Sequence, residues 1–151
     1  MKVGLGADHA GYILKEKLIN HLNNAGIETV DYGTNSADRT DYPDYALKVS
    51  KGVINNEVDY GVLICGTGIG MSIAANKVKG IRAALAYNEL TAKLAKEHNH
   101  ANVITLGART NTADEAKRIL DTFLEAVIEE RHQNRIDKIT EIEENNLEWV
   151  K

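Results

Sequence analysis

The sequence predicts an α/β protein: a three-layer α/β/α, Rossmann-like domain with a five-stranded parallel sheet and a C-terminal helix, residues 1–151 forming one unit. Three observations lead there. Short apolar or β-branched runs alternate with longer segments of helical spacing, the texture of βαβ units whose sheet is covered on both faces. No linker, internal repeat or low-complexity tract interrupts that alternation. At 151 residues the chain has the length of about one domain with a substantial core.

The elements follow in order. "KVGLGA" (Lys2–Ala7) reads as the first strand, and Tyr12, Leu14, Leu18 and Leu22 share one face of the helix after it. "IETVDYG" (Ile27–Gly33) is the second strand. Pro43, the only proline, follows Asp41 and suits the first turn of a helix carrying Ala46, Val49 and Val53. "YGVLIC" (Tyr60–Cys65) is the third strand, followed by a glycine-rich loop and a run of small and apolar residues. "IRAALA" (Ile81–Ala86) and "NVITLG" (Asn102–Gly107) complete the sheet. Between them Leu90, Leu94 and Ala95 mark a helix of about Asn88 to His98, and Ala116, Ile119, Leu120, Phe123 and Leu124 mark the next. The tail "RHQNRIDKITEIEENN" is a polar helix with sparse apolar positions Ile136, Ile139 and Ile142.

Composition excludes several functions. A formal charge of −4 argues against nucleic acid or an anionic membrane as the main partner. One cysteine cannot form an internal disulfide. No apolar run approaches the roughly 20 residues of a membrane span, and "MKVGLGADHAG" reads as a strand, with too short an apolar stretch for a signal peptide. A soluble, cytoplasmic protein is expected.

In open parallel sheets, ligands bind outside the carboxyl ends of the strands, and Cys65, Asp8, His9, Gly33 and Arg109 fall at or just beyond such ends. The loop "CGTGIGM" is not a dinucleotide fingerprint, because Met71 stands where the third glycine or alanine belongs; "GLGADH" fails at His9. No P-loop motif exists, and Met71 also occupies the position a cysteine phosphatase gives to arginine. What remains is a strand-to-helix turn whose N–H groups can converge on an anion. The plain reading is a tight turn with a buried cysteine. The sharper one is an oxyanion nest in which the same partial charges favour the Cys65 thiolate as base or nucleophile.

Other candidates carry the same two readings. Asp8–His9 can be a helix cap or a ligand contact. His98 and His100 can close a helix, favoured by its dipole, and their i,i+2 spacing is a weak metal signal. Arg131 and Arg135 lie four apart on one helix face with His132 between them, either solvated or clamping a phosphate. Tyr42 before Pro43 can simply pack. Together the nest, thiol, histidines and arginines fit phosphorylated-sugar chemistry.

The blocks "GADHAG", "DYGT…RTDYPDYA", "ICGTGIGMSIAANKVKGIRAAL", "HNHANVITLGAR" and "RHQNR" resemble the type B ribose-5-phosphate isomerases, grouped with the galactose-6-phosphate isomerase subunits. The resemblance runs in order over nearly the whole chain. It implies a phosphorylated sugar as substrate, with Cys65 as the base moving a proton between sugar carbons and His98 opening the furanose ring. Gly66, Gly68, Ile69 and Gly70 would hold the enediolate, with Thr67 assisting; Asp8, His9, Asn99, Arg109, Arg131 and Arg135 would bind sugar or phosphate, and Tyr42 would line the site. No cofactor is expected, and no metal, because the histidines lack a ligand set and the nest replaces a Lewis acid. His100 departs from the family's commoner aspartate, and Glu129 and Glu130 from common glycines.

The chemistry agrees. Aldose–ketose isomerisation places negative charge on oxygen, and one fixed backbone donor can be worth roughly 3 kcal/mol there. The alternatives are a six-carbon phosphosugar, such as allose or galactose 6-phosphate, and a non-catalytic phosphate- or nucleotide-binding module, which would need neither Cys65 nor His98. Topology adds one expectation: the helix ending at His98 runs back along the sheet, and a six-residue strand spans about 20 Å. His98 then lies too far from its own Cys65, and a homodimer or dimer of dimers with sites shared between chains is expected.

Overall fold

The computed structural model describes residues 1–149. Five strands, β1 (Lys2–Ala7), β2 (Glu28–Asp31), β3 (Tyr60–Cys65), β4 (Ala83–Leu85) and β5 (Val103–Gly107), form one all-parallel sheet in the order β2-β1-β3-β5-β4. The helices are α1 (Tyr12–Asn24), α2 (Tyr42–Ile54), α3 (Ile69–Ala75), α4 (Glu89–Glu97), α5 (Ala113–Glu125) and α6 (Gln133–Trp149), with a 3-10 turn at Glu130–His132 before α6. No helix among the described residues is long and apolar enough to cross a membrane. β1 and β3 have the expected bounds, whereas β2, β4 and β5 are shorter than their apolar runs.

Alternation along the strands builds two cores. Val62 and Ile64 point to the face covered by α1, α4 and α5, while Leu63 and Cys65 point to the face covered by α2 and α3. Phe123, fully buried on α5, meets the Tyr60 ring edge-on at 5.6 Å; burying such a side chain contributes roughly 1.5–3 kcal/mol. The cysteine therefore belongs to the α2/α3 side, which fixes the side from which its loop is approached.

Two helices depart from the expected pattern. In α4, Leu90 is 62% exposed and the buried face is Ala92, Ala95 and Lys96. In α1, Tyr12 is only partly buried while Lys15 is fully buried, its Nζ 2.7 Å from both oxygens of Asp31 at the end of β2. A burial count cannot foresee such a lysine, because its partner lies across the sheet edge.

Helix ends decide where the side chains of interest stand. Asp41 precedes α2, with Pro43 in its first turn, as expected. α4 begins with a capping box between Asn88 and Thr91. It ends in a paired turn: the His100 N–H donates to Lys96 O at 3.1 Å and the Ala101 N–H to Ala95 O at 3.0 Å, with His100 at φ 48°. His100 is thus a buried helix terminator. α6 leaves the domain with Ile136 buried but Ile139 and Ile142 exposed; its Glu143 carboxylate accepts the Gly80 N–H at 3.1 Å.

Candidate active site

The carboxyl edge of the sheet collects the first group of residues. Cys65 ends β3 opposite Gly107 of β5, and the next residues are stitched across: Ala108 N–H donates to Cys65 O and Arg109 N–H to Gly66 O, both at 2.9 Å. The buried Cys65 sulfur accepts the Gly68 N–H at 3.2 Å. Gly68 has φ +80°, and a Cβ there would lie 3.0 Å from the Leu106 backbone, so both conformation and space require glycine. From below, the fully buried Thr105 hydroxyl donates to Gly68 O at 2.8 Å. Thr67 Oγ1 accepts the Ile69 N–H at 3.2 Å, so two N–H groups of the expected nest, those of Gly68 and Ile69, are engaged within the loop.

The neighbours of this loop are largely those expected. A Cβ on Gly70 would meet the Tyr42 ring at 2.7 Å, and one on Gly66 would lie 3.0 Å from Arg109 Nη1, so both side chains rest on the glycine loop. Ile69 is exposed at its rim. Asp8 is buried and acts as a cap, its Oδ1 accepting the Ala10 and Gly11 N–H groups at 3.0 and 3.1 Å. His9 Nδ1 lies 3.2 Å from Thr40 O and 3.3 Å from Thr40 N, which leaves Nε2 as the ring's other polar atom. Thr40 Oγ1 in turn lies 3.0 Å from Tyr45 Oη. Hydrogen bonds from Thr34 and Thr40 pull the Tyr45 phenol below its ordinary value. Thr40, Tyr45 and Thr105 escaped the sequence reading. "RTDYPDY" was the signal for the first two; Thr105, inside an apolar strand, gives none.

The second group gathers at the opposite edge. His98 follows α4, and β5 starts only at Val103, paired with Gly61 at the amino end of β3. The segment after α5 crosses here: Glu129 N–H donates to Glu97 O at 3.0 Å, and Glu129 O lies 3.1 Å from His100 Nε2. This brings the Glu129 Oε2 to 2.6 Å from Arg131 Nε, 3.4 Å from His132 Nε2 and 3.9 Å from His98 Nε2. The His98 and His132 rings are 4.5 Å apart. Arg131 lies in the 3-10 turn rather than on the helix of Arg135, so the two do not share one helix face as expected; the chain between α5 and α6 has to turn there. Asn99 is exposed and lines a groove of about 700 Å³ with Asn76, Arg82 and Glu143.

Charges in this cluster are mutually adjusted. Desolvation raises the Glu129 carboxyl, but Arg131, His98 and His132 outweigh it and hold it below the usual range. Desolvation, with Arg131, His98 and Arg135, lowers His132 against the opposing pull of Glu129. His98, Glu129 and His132 place ligand-type atoms within 4.8 Å of one another, as a metal site would. Yet Arg135 Nη1 sits 2.9 Å from His132 Nδ1. The donor-only guanidinium makes Nδ1 the acceptor and puts the ring proton of neutral His132 on Nε2, the atom facing Glu129. That tautomer and two adjacent guanidiniums suit an anion better than a cation.

Comparison with known proteins places these groups in context. Residues 3–139 match the family described as Ribose/Galactose Isomerase. The chain is 48% identical over 144 residues to ribose-5-phosphate isomerase B of Escherichia coli (strain K12), covering 95% of this chain and 97% of that one. The structure of Clostridium thermocellum ribose-5-phosphate isomerase B superposes with a TM-score of 0.95 at 48% identity, over 97% of this chain and 99% of that one. The Mycoplasma genitalium ribose-5-phosphate isomerase B, solved with bound ribulose-5-phosphate, superposes with a TM-score of 0.90 at 45% identity, over 95% and 96% of the two chains.

Proposed function

The chain belongs to the ribose/galactose isomerase family, and from that premise we propose that it interconverts ribose 5-phosphate and ribulose 5-phosphate through an enediolate. The observation that carries the mechanism is the Gly68 N–H donating to the Cys65 sulfur at 3.2 Å. That backbone donor holds the sulfur at the mouth of the glycine loop, the place from which it would take a proton from carbon.

The reaction begins with ring opening, in which His98 moves a proton between the ring oxygen and the anomeric hydroxyl. The Cys65 thiolate then takes the C2 proton, the electron pair forms the C1–C2 double bond, and charge builds on O1. N–H groups of the Gly66–Gly70 loop other than those of Gly68 and Ile69, which are engaged within the loop, stabilise that charge, with Thr67 assisting. A proton passes from O2 to O1, and the thiol returns its proton to C1 as the O2–C2 double bond forms, giving the ketose. Arg131 and Arg135 hold the phosphate, and Asp8, His9, Asn99, Arg109 and Tyr42 bind or line the sugar. No cofactor takes part.

Cys65 and His98 serve opposite edges of one sheet, and β5 alone spans roughly 16 Å. A complete site therefore combines the carboxyl edge of one chain with the amino edge of another, in a homodimer or dimer of dimers. Incubating the protein with ribose 5-phosphate and following ribulose 5-phosphate tests the reaction. Absence of turnover in folded, assembled protein would overturn it.

A further inference from the structure

We propose that Glu129 sets the affinity of the amino-edge cluster for phosphomonoesters: its carboxylate holds the place on Arg131 that the substrate's phosphate takes, and substrate binds by displacing it. This rests on the reading of Arg131 and Arg135 as phosphate-binding groups.

A single oxygen, Glu129 Oε2, is the common point of three nitrogen groups: Arg131 Nε at 2.6 Å, His132 Nε2 at 3.4 Å and His98 Nε2 at 3.9 Å. Arg135 approaches the same cluster through His132 Nδ1 at 2.9 Å. One guanidinium and two imidazoles around one carboxylate oxygen, with a second guanidinium behind His132, form surroundings that suit a phosphate oxygen. His132 Nε2 is buried and has no hydrogen bond of good geometry. The carboxylate fills the cluster without satisfying that nitrogen, which a larger anion with three terminal oxygens can do.

Backbone contacts, not side-chain reach alone, put the carboxylate there. Glu129 N–H is bound to Glu97 O at 3.0 Å, and Glu129 O accepts the His132 N–H at 3.1 Å. His100 Nε2 lies 3.1 Å from the same carbonyl. The adjacent Glu130 is exposed and makes no side-chain hydrogen bond or ion pair among the described residues. The two acids thus carry equal charge, but only Glu129 is placed to compete with an anion.

Inorganic phosphate is the probe. Its dissociation constant is measured calorimetrically, without turnover, for the wild type, Glu129→Gln and Glu130→Gln, beside KM and kcat for ribose 5-phosphate. Glu129→Gln should bind phosphate about two- to fivefold more tightly, the range expected of one partly exposed ion pair. Its KM should fall with the phosphate constant, by a larger factor than kcat changes. Glu130→Gln should give clearly less tightening, and Glu129→Gln in an Arg131→Ala background should give almost none. Glu129→Asp, which keeps the charge but withdraws the carboxylate, should also tighten phosphate binding and serves if the Gln variant folds poorly. Equal tightening in the two Gln variants would reduce the effect to net charge and overturn the proposal, as would unchanged or weaker phosphate binding in Glu129→Gln. Lack of ribose 5-phosphate turnover with tighter phosphate binding would instead overturn the assigned reaction and leave the role of Glu129 standing.

Discussion

Arg135 Nη1 lies 2.9 Å from His132 Nδ1, and the guanidinium, having only donors, makes that ring nitrogen an acceptor. Arg135 therefore does two things at once: it supplies charge and orients a buried histidine toward Glu129. Arg131, 67% exposed, supplies charge and holds the Glu129 carboxylate, its Nε 2.6 Å from Oε2.

Replacing either arginine with alanine should raise KM for ribose 5-phosphate by about tenfold or more, as expected for a charge-assisted phosphate contact. The fall in kcat should be smaller, though present, because remote binding energy also positions the reacting carbons. Arg135→Ala should be the more damaging of the two, since it also releases His132. Steady-state kinetics on both variants provide the check; unchanged KM in both would return the pair to a solvated role.

Cys65 is the chain's only thiol. Iodoacetamide should inactivate the protein with one label per chain, and substrate should protect it. Cys65→Ala should abolish turnover while leaving substrate binding largely intact, as a rate assay paired with calorimetry would show. A near-normal rate would remove Cys65 from the base role.

The separation of Cys65 and His98 makes a mixing experiment decisive. Cys65→Ala and His98→Ala chains are each expected to be inactive. Unfolded and refolded together, they should recover about a quarter of wild-type activity, since half of randomly formed dimers are mixed and one of their two sites is intact. A verified heterodimer without activity, or an active monomer at assay concentration, would rule out the shared site.

Thr105 Oγ1 donates to Gly68 O at 2.8 Å in a fully buried position. Thr105→Val keeps the shape but strands that carbonyl, costing about 1–3 kcal/mol in unfolding free energy. The Gly68 peptide carries the N–H aimed at Cys65, so kcat should fall more than KM rises. Denaturant titration and kinetics on the same sample separate the two effects.

Lys96 is buried, its Nζ donating to Leu124 O at 3.0 Å and standing 4.1 Å over the Tyr60 ring. Burial lowers its ammonium below the ordinary lysine value. Between the folded value and 10.5 the unfolded chain holds a proton that the fold has released, so this residue's contribution to stability rises with pH across that window. Compared with Lys96→Met, the wild type should gain stability as pH is raised toward 10.5 in paired urea titrations. A constant gap between the two proteins would deny the shift.

Much of this was legible because parallel sheets obey local rules. β1 and β3 could be bounded to the residue, since glycine or polar residues close both runs and their interiors are buried on two faces. Leu90 misled because α4 buries Ala92, Ala95 and the paired Lys96 and leaves Leu90 outside. Lys15 was hidden because its partner, Asp31, is distant in sequence. The glycine loop announced itself through residue types that only close backbone approach requires. The supports of the two clusters, Thr105 beneath Gly68 and Glu129 against Arg131, depend on contacts that no periodicity encodes.

The strand order carries a consequence for the chain as it leaves the ribosome. β3 lies between β1 and β5, so the strand bearing the thiol has one neighbour already made and one still to be synthesised. Until Gly107 emerges, Cys65 lacks its register partner, and the carbonyls of Cys65 and Gly66 lack the N–H groups of Ala108 and Arg109. A nascent chain stalled after α3 thus presents an open β3 edge and a solvent-reachable thiol, and such edges invite pairing with other chains. Chaperone dependence during synthesis should therefore be greatest between completion of β3 and release of β5.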